Sequence, residues 1–115
     1  MAAIRTVMIT MSPMLRDLVT ELMAEHVNLD LVGELDTRDG LEENLQALVP
    51  DLIVIGLGRG EGDEIGLSLV TFLPNAKVIA FSSDVRHAFV HRMQPQRTVL
   101  LDVSPQMLID TILES

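Results

Sequence analysis

The sequence predicts an α/β domain in which five strand–helix units lay a parallel sheet between covering helices. Three observations carry that expectation. Five short apolar runs, at 4–9, 29–35, 52–57, 76–81 and 98–101, begin 22 to 25 residues apart. Several are nearly continuous in apolar or β-favouring residues, as in Leu52-Ile53-Val54-Ile55 and Val78-Ile79-Ala80-Phe81. Continuous runs of this kind suit strands buried on both faces. The intervening segments carry helical spacing and proline punctuation, so strand and helix alternate along the chain, with right-handed crossovers expected.

Each helix has its own justification. Ser12 caps the first, with Pro13 at its opening position, where a missing N–H costs nothing. Leu15, Leu18, Val19, Leu22 and Met23 then supply an apolar face. Leu41, Leu45 and Leu48 mark a second helix that Pro50 ends, and a third runs over about 63–73 before Pro74. For the fourth, Ser83 or Asp84 caps a helix whose face is Val85, Phe89 and Met93, closed by Pro95. Ser104-Pro105 repeats the cap-plus-proline start, and Leu108, Ile109, Ile112 and Leu113 give the fifth helix its stripe.

Composition bounds the function. The 115 residues are 48% hydrophobic, enough for a real core in one domain spanning 1–115. No apolar run reaches the ~18 residues needed to span a membrane, and the start lacks a secretory signal, so the cytoplasm is expected. The absence of cysteine removes disulfides, thiolate metal sites and thiol nucleophiles together. With 8 Lys+Arg against 17 Asp+Glu, the net charge of −9 argues against nucleic acid as this domain's partner. Phe72, Phe81 and Phe89 are the only aromatic residues of the Phe/Trp/Tyr class, too few for a stacking platform. The charge is uneven: residues 1–64 hold 13 acids and 4 bases, while 65–115 hold 4 of each and 85–101 hold no acid.

Five segments, in order and at the right spacing, resemble the receiver domain of two-component response regulators, most clearly those joined to LuxR-type DNA-binding domains. They are Ser12-Pro13-Met14-Leu15-Arg16, Leu31-Val32-Gly33-Glu34, Pro50-Asp51-Leu52-Ile53-Val54-Ile55, Ala76-Lys77-Val78-Ile79-Ala80-Phe81-Ser82 and Asp102-Val103-Ser104-Pro105. The resemblance implies a flavodoxin-like (βα)5 doubly wound parallel sheet, strand order 2-1-3-4-5, with the site at the strands' carboxyl ends. It also implies phosphorelay signal transduction through an aspartate, an acidic pair holding Mg²⁺, a hydroxyl and a lysine. On this chain the acceptor position falls on Gly56, the acidic pair on Thr10 and Met11, the lysine on Leu101 and the strand-five aromatic on Thr98. Only Ser82 matches, at the hydroxyl position. Shifting strand one by a residue supplies no carboxylate, Asp51 lies at the wrong end of its strand, and Asp102 alone holds no metal. The pattern is that of an atypical pseudo-receiver, expected to stay in one state without a response to Mg²⁺.

Other signals favour plain readings. The run Gly56, Gly58, Gly60 and Gly62 has no phosphate-loop spacing, and Glu61, Asp63 and Glu64 beside it would repel an anion, so a flexible loop with solvated charges is expected. His87 and His91, four apart, are expected on the exposed face of helix four as a solvent-facing pair, with no third zinc ligand evident. The methionines read mostly as core filler. No nucleophile elbow, HExxH or catalytic triad is present, so neither an enzyme nor a bound cofactor or metal is expected.

The expected function is contact with a partner protein, or with a second copy as a homodimer, through helix four, strand five and helix five. Arg86, His87, Val90, His91, Arg92 and Arg97 form the candidate surface. The domain would then be a regulatory module, on its own or preceding the DNA-binding part of a transcriptional regulator. The alternative is a small-molecule sensor using the vacated pocket around Thr10, Met11, Gly56, Ser82 and Leu101.

Overall fold

A computed structural model describes residues 3–25, 28–92, 98–101 and 103–113 of the chain, with 98–101 and 113 described as backbone only. The elements run β1 (Ile4–Ile9), α1 (Pro13–Glu25), β2 (Leu29–Leu35), α2 (Leu41–Leu48), β3 (Leu52–Gly56), α3 (Glu64–Phe72), β4 (Lys77–Phe81), β5 (His87–His91), β6 (Thr98–Leu101) and α4 (Pro105–Leu113). The capping serines act as expected: the Leu15 N–H donates to Ser12 Oγ and the Met107 N–H to Ser104 Oγ, each at 3.2 Å.

The sheet order is β2-β1-β3-β4-β5-β6. The pairs β1–β2, β1–β3 and β3–β4 are parallel. All five expected strands form, and their mutual order is 2-1-3-4-5, the flavodoxin-like arrangement. Its fifth member is β6. Side chains alternate between two cores. Met8, Val54, Ile79 and Phe81 face α1 and α4, where Leu15, Leu22, Leu108 and Ile109 meet them. Val7, Ile9, Ile53, Ile55 and Val78 face α2 and α3, meeting Leu45, Leu69 and Val70. Burial on both faces is why these strands show no polar alternation in sequence.

One element differs from expectation. The expected fourth helix is a strand, β5, antiparallel to both β4 and β6, so the sheet is mixed and has one more member than (βα)5 requires. Neither Ser83 nor Asp84 caps a helix; Asp84 closes a hairpin together with Ser82. Asp84 Oδ1 accepts from Ser82 Oγ at 2.6 Å and from the Arg86 N–H at 3.1 Å, an Asx-type turn. Val85 sits at φ 61, in the left-handed region that bends the chain back. Ala88 and Val90 then enter the α1/α4 core, while Phe89 packs with the α2/α3 core. Ala88 and Val90 fill one face while Phe89 stands between His87 and His91 on the other, so apolar residues fall on both faces and the four-residue spacing of Val85 and Phe89 imitates a helical stripe. Met93 and Pro95, which completed that reading, lie outside the described residues.

Two bases secure helix ends. Arg5 donates to Leu48 O at 2.7 Å and to Val49 O at 3.2 Å, closing the C-terminus of α2. Lys77 Nζ donates to the carbonyls of Thr111 and Ile112 near the end of α4. Among the described residues no helix is long and apolar enough to cross a membrane.

Candidate functional site

The carboxyl ends of β1, β3 and β4 meet where the resemblance places a phosphorylation pocket. Gly56 pairs with Phe81, and the Leu57 N–H donates to Phe81 O at 2.8 Å. Thr10 follows β1 with φ 47, a left-handed conformation costly for a β-branched residue. Two bonds hold it there: its N–H donates to Leu35 O and its Oγ1 donates to Gly56 O, both at 2.8 Å. The Thr10 carbonyl thereby lies against the α-carbon of Gly56. A Cβ at position 56 would stand 2.5 Å from Thr10 O and 3.5 Å from Leu15 Cδ2. Position 56 therefore has no room for a side chain.

A residue that sequence reasoning missed completes this corner. Arg38, in the β2–α2 connection, donates from Nη2 to Gly56 O at 3.2 Å and to Glu61 Oε1 at 2.7 Å. Its Nη1 bonds the other carboxylate oxygen, so the pair is bidentate. Glu61 Oε1 also accepts the Gly58 N–H at 2.7 Å. Hydrogen bonding to Arg38 holds the Glu61 carboxyl below its ordinary value, with the Gly58 N–H adding to the effect, and the same contact raises Arg38. Glu61 is therefore not a solvated loop charge. The clue was present in sequence: Arg38 is the one base between Arg16 and Arg59.

The remaining expected pocket residues are not gathered around Gly56. Met11 packs at the edge of the α1/α4 core. Ser82 Oγ is committed to the hairpin, donating to Asp84 and accepting the His87 N–H at 3.1 Å. The Ser82 hydroxyl, leading the causes, lowers the Asp84 carboxyl, with help from the Arg86 N–H. Leu101 pairs with His87, and β5 separates β6 from β4. Three strand spacings separate β3 from β6, about 14 Å, so the lysine position stands one strand further out than a 3-4-5 neighbourhood allows. Asp102 lies outside the described residues.

The expected interaction surface also changes. Arg86 and His87 are exposed, but Val90 is fully buried and His91 is 6% exposed. With β5 in place of a helix, Val90 and His91 point to opposite faces of the sheet and both are covered, Val90 by the α1/α4 core and His91 by α3. His91 Nε2 stands 3.2 Å from Asp63 Oδ2, at ion-pair distance but outside good hydrogen-bond geometry. Its ring lies over Gly66 of α3, where an added Cβ would be 2.4 Å from His91 Cδ2. The pair of histidines is thus split between solvent and core. Arg92 is half-buried, and Arg97 lies outside the described residues. Among the described residues no group of three or more His, Asp or Glu side chains is placed to hold a metal ion.

Comparisons with known proteins agree with this fold. No family model matches the chain, and no curated protein matches it. Among solved structures, the chain is similar to one described as the signal receiver domain of a response regulator, NarL, from Mycobacterium tuberculosis. The TM-score is 0.56 at 20% identity, over 72% of this chain and 68% of that one. The chain has the fold of a response-regulator receiver domain.

Proposed function

We propose that this domain is a pseudo-receiver: a receiver-like module that works without phosphorylation and acts through contact with another protein rather than as an enzyme. The observation that carries the reading is the contact between Thr10 O and Gly56. Phosphoryl transfer to a receiver needs a carboxylate beside Mg²⁺. Here that position has no side chain, and the space beside it is held by a backbone carbonyl and the Arg38 guanidinium. The acidic pair is replaced by Thr10 and Met11, and the hydroxyl of Ser82 is spent in a turn. The domain's place would be the cytoplasm, as a regulatory module, with any DNA contact made by another domain. The small-molecule reading draws no support from this corner, since Thr10 Oγ1 and Arg38 both converge on Gly56 O.

The test is a backbone-amide NMR titration with Mg²⁺ and then beryllofluoride, a stable mimic of an aspartyl phosphate. The expected spectrum is unchanged. Shifts centred on Gly56, Ser82 and the loop after β1 would overturn the reading.

A further inference from the structure

The surface opposite α1 and α4 contains a groove between α2 and the first two turns of α3. Its floor is Leu41 and Leu69, its wall Ile65 and Phe72, both only half-buried, and its rim Glu42 and Glu43. The groove is open to solvent and has a volume of about 430 Å³. We infer that this groove docks a short cationic amphipathic helix of a partner protein. The inference rests on the protein-contact reading above and names the partner's chemistry.

Charge complementarity selects the occupant. Segment 36–43 carries Asp36, Asp39, Glu42 and Glu43 around a single base, Arg38. That base also lines the groove, but its guanidinium is paired with Glu61 and bonded to Gly56 O, which leaves Glu42 and Glu43 to set the sign of the rim. The four carboxylates are exposed. An anionic rim over an apolar floor favours apolar side chains flanked by Lys or Arg and repels an acidic segment. The shape favours a helix. The nine residues of α3 run about 13 Å, which accommodates two turns of a partner presenting apolar anchors at i, i+3, i+4 and i+7.

The probe is a synthetic amphipathic peptide of about 14 residues, with leucines at those positions and lysines flanking them. It is titrated into the full chain and followed by amide shifts and by fluorescence anisotropy of a labelled peptide. Binding should shift Leu41, Glu43, Ile65, Ser68 and Phe72. It should weaken when salt rises from about 0.05 M to about 0.5 M. Glu42→Lys with Glu43→Lys should weaken it about tenfold. Ser68→Arg, an exposed groove position, should obstruct the site while leaving the rest of the amide spectrum in place. Equal binding of a scrambled peptide, shifts centred elsewhere, no binding, or indifference to both variants would overturn the inference. None of these outcomes bears on the beryllofluoride result, so the two readings fail separately.

Discussion

Replacing Gly56 by alanine asks directly whether the acceptor position can carry any side chain. The new Cβ would fall 2.5 Å from Thr10 O, about 0.9 Å short of ordinary van der Waals contact. Leu15 Cδ2 at 3.5 Å blocks retreat to one side, and β3 is fixed between β1 and β4. Relief must come from Thr10, whose peptide is tied by its N–H to Leu35 O and by its hydroxyl to Gly56 O. Overpacking of this kind costs about 1–3 kcal/mol, and loosening one of those bonds costs about 1 kcal/mol more. The expected loss is about 3 kcal/mol. For a chain of 115 residues that lowers Tm by about 12 °C. The chain has neither Trp nor Tyr, so urea and thermal unfolding are followed by far-ultraviolet circular dichroism. Gly56→Asp carries the same Cβ and should lose at least as much, with no recovery in Mg²⁺. A loss below about 1 kcal/mol in the alanine variant, or a Mg²⁺-dependent rise in Tm of the aspartate variant, would refute the reasoning.

Three further perturbations probe other parts of the same framework. Gly66→Ala should destabilise by about 1–2 kcal/mol, because a clash with the His91 ring outweighs the helix propensity gained. His91→Ala alone should also destabilise, yet the double variant should recover about 1 kcal/mol of the summed loss as the alanine methyl enters the vacated space, a coupling that a double-mutant cycle in urea measures. Val49 ends α2 at φ 49 and is 65% exposed, so Val49→Gly should raise stability by about 1 kcal/mol in the same assay. Glu61→Gln should cost about 0.5–1 kcal/mol near neutrality, a modest value because the pair is partly exposed. The folded carboxyl titrates below its unfolded value, so the contribution is full above the ordinary carboxylate range and lost as pH falls through the folded value. Wild type and variant should therefore converge in acid; a gap that persists there would mean the pairing is not its source.

What could be read from the sequence depended on how local the determinant was. Ser12-Pro13 and Ser104-Pro105 specify helix starts through bonds spanning three residues, and both form as expected. The doubly buried strands announce themselves through nearly continuous apolar runs, complete in β3 and broken only at the start of β1 and β4. The segment after β4 misled because burial on two faces erases the period that separates strand from helix. His91 was placed in solvent on that basis, and its contact with Asp63 spans 28 residues. The Arg38–Glu61 pair spans 23 residues between two loops, and neither residue alone has a local signature. The contact between Thr10 and Gly56 spans 46 residues, and the steric closure it makes depends on backbone geometry that no local pattern encodes.

The β5 insertion and the closed acceptor position support one another. Forming a hairpin after β4 requires a tight reversal at 82–87, and Ser82 supplies both its N–H, to His87 O, and its hydroxyl, to Asp84, to build it. A hydroxyl committed in this way is not available to follow a phosphoryl group, so the one matching position in the sequence is withdrawn by the same element that displaces β6. With β6 moved outward, a lysine at position 101 would start about 14 Å from Gly56, beyond the reach of its roughly 6 Å side chain. On the proposed pseudo-receiver reading, single substitutions at Thr10, Met11, Gly56 and Leu101 therefore do not build a phosphorylation pocket. On that reading the topology of the sheet matters as much as the residues at the ends of its strands. The proposed protein contact would then fall on surfaces away from β5 and β6, and the α2/α3 groove is one of them.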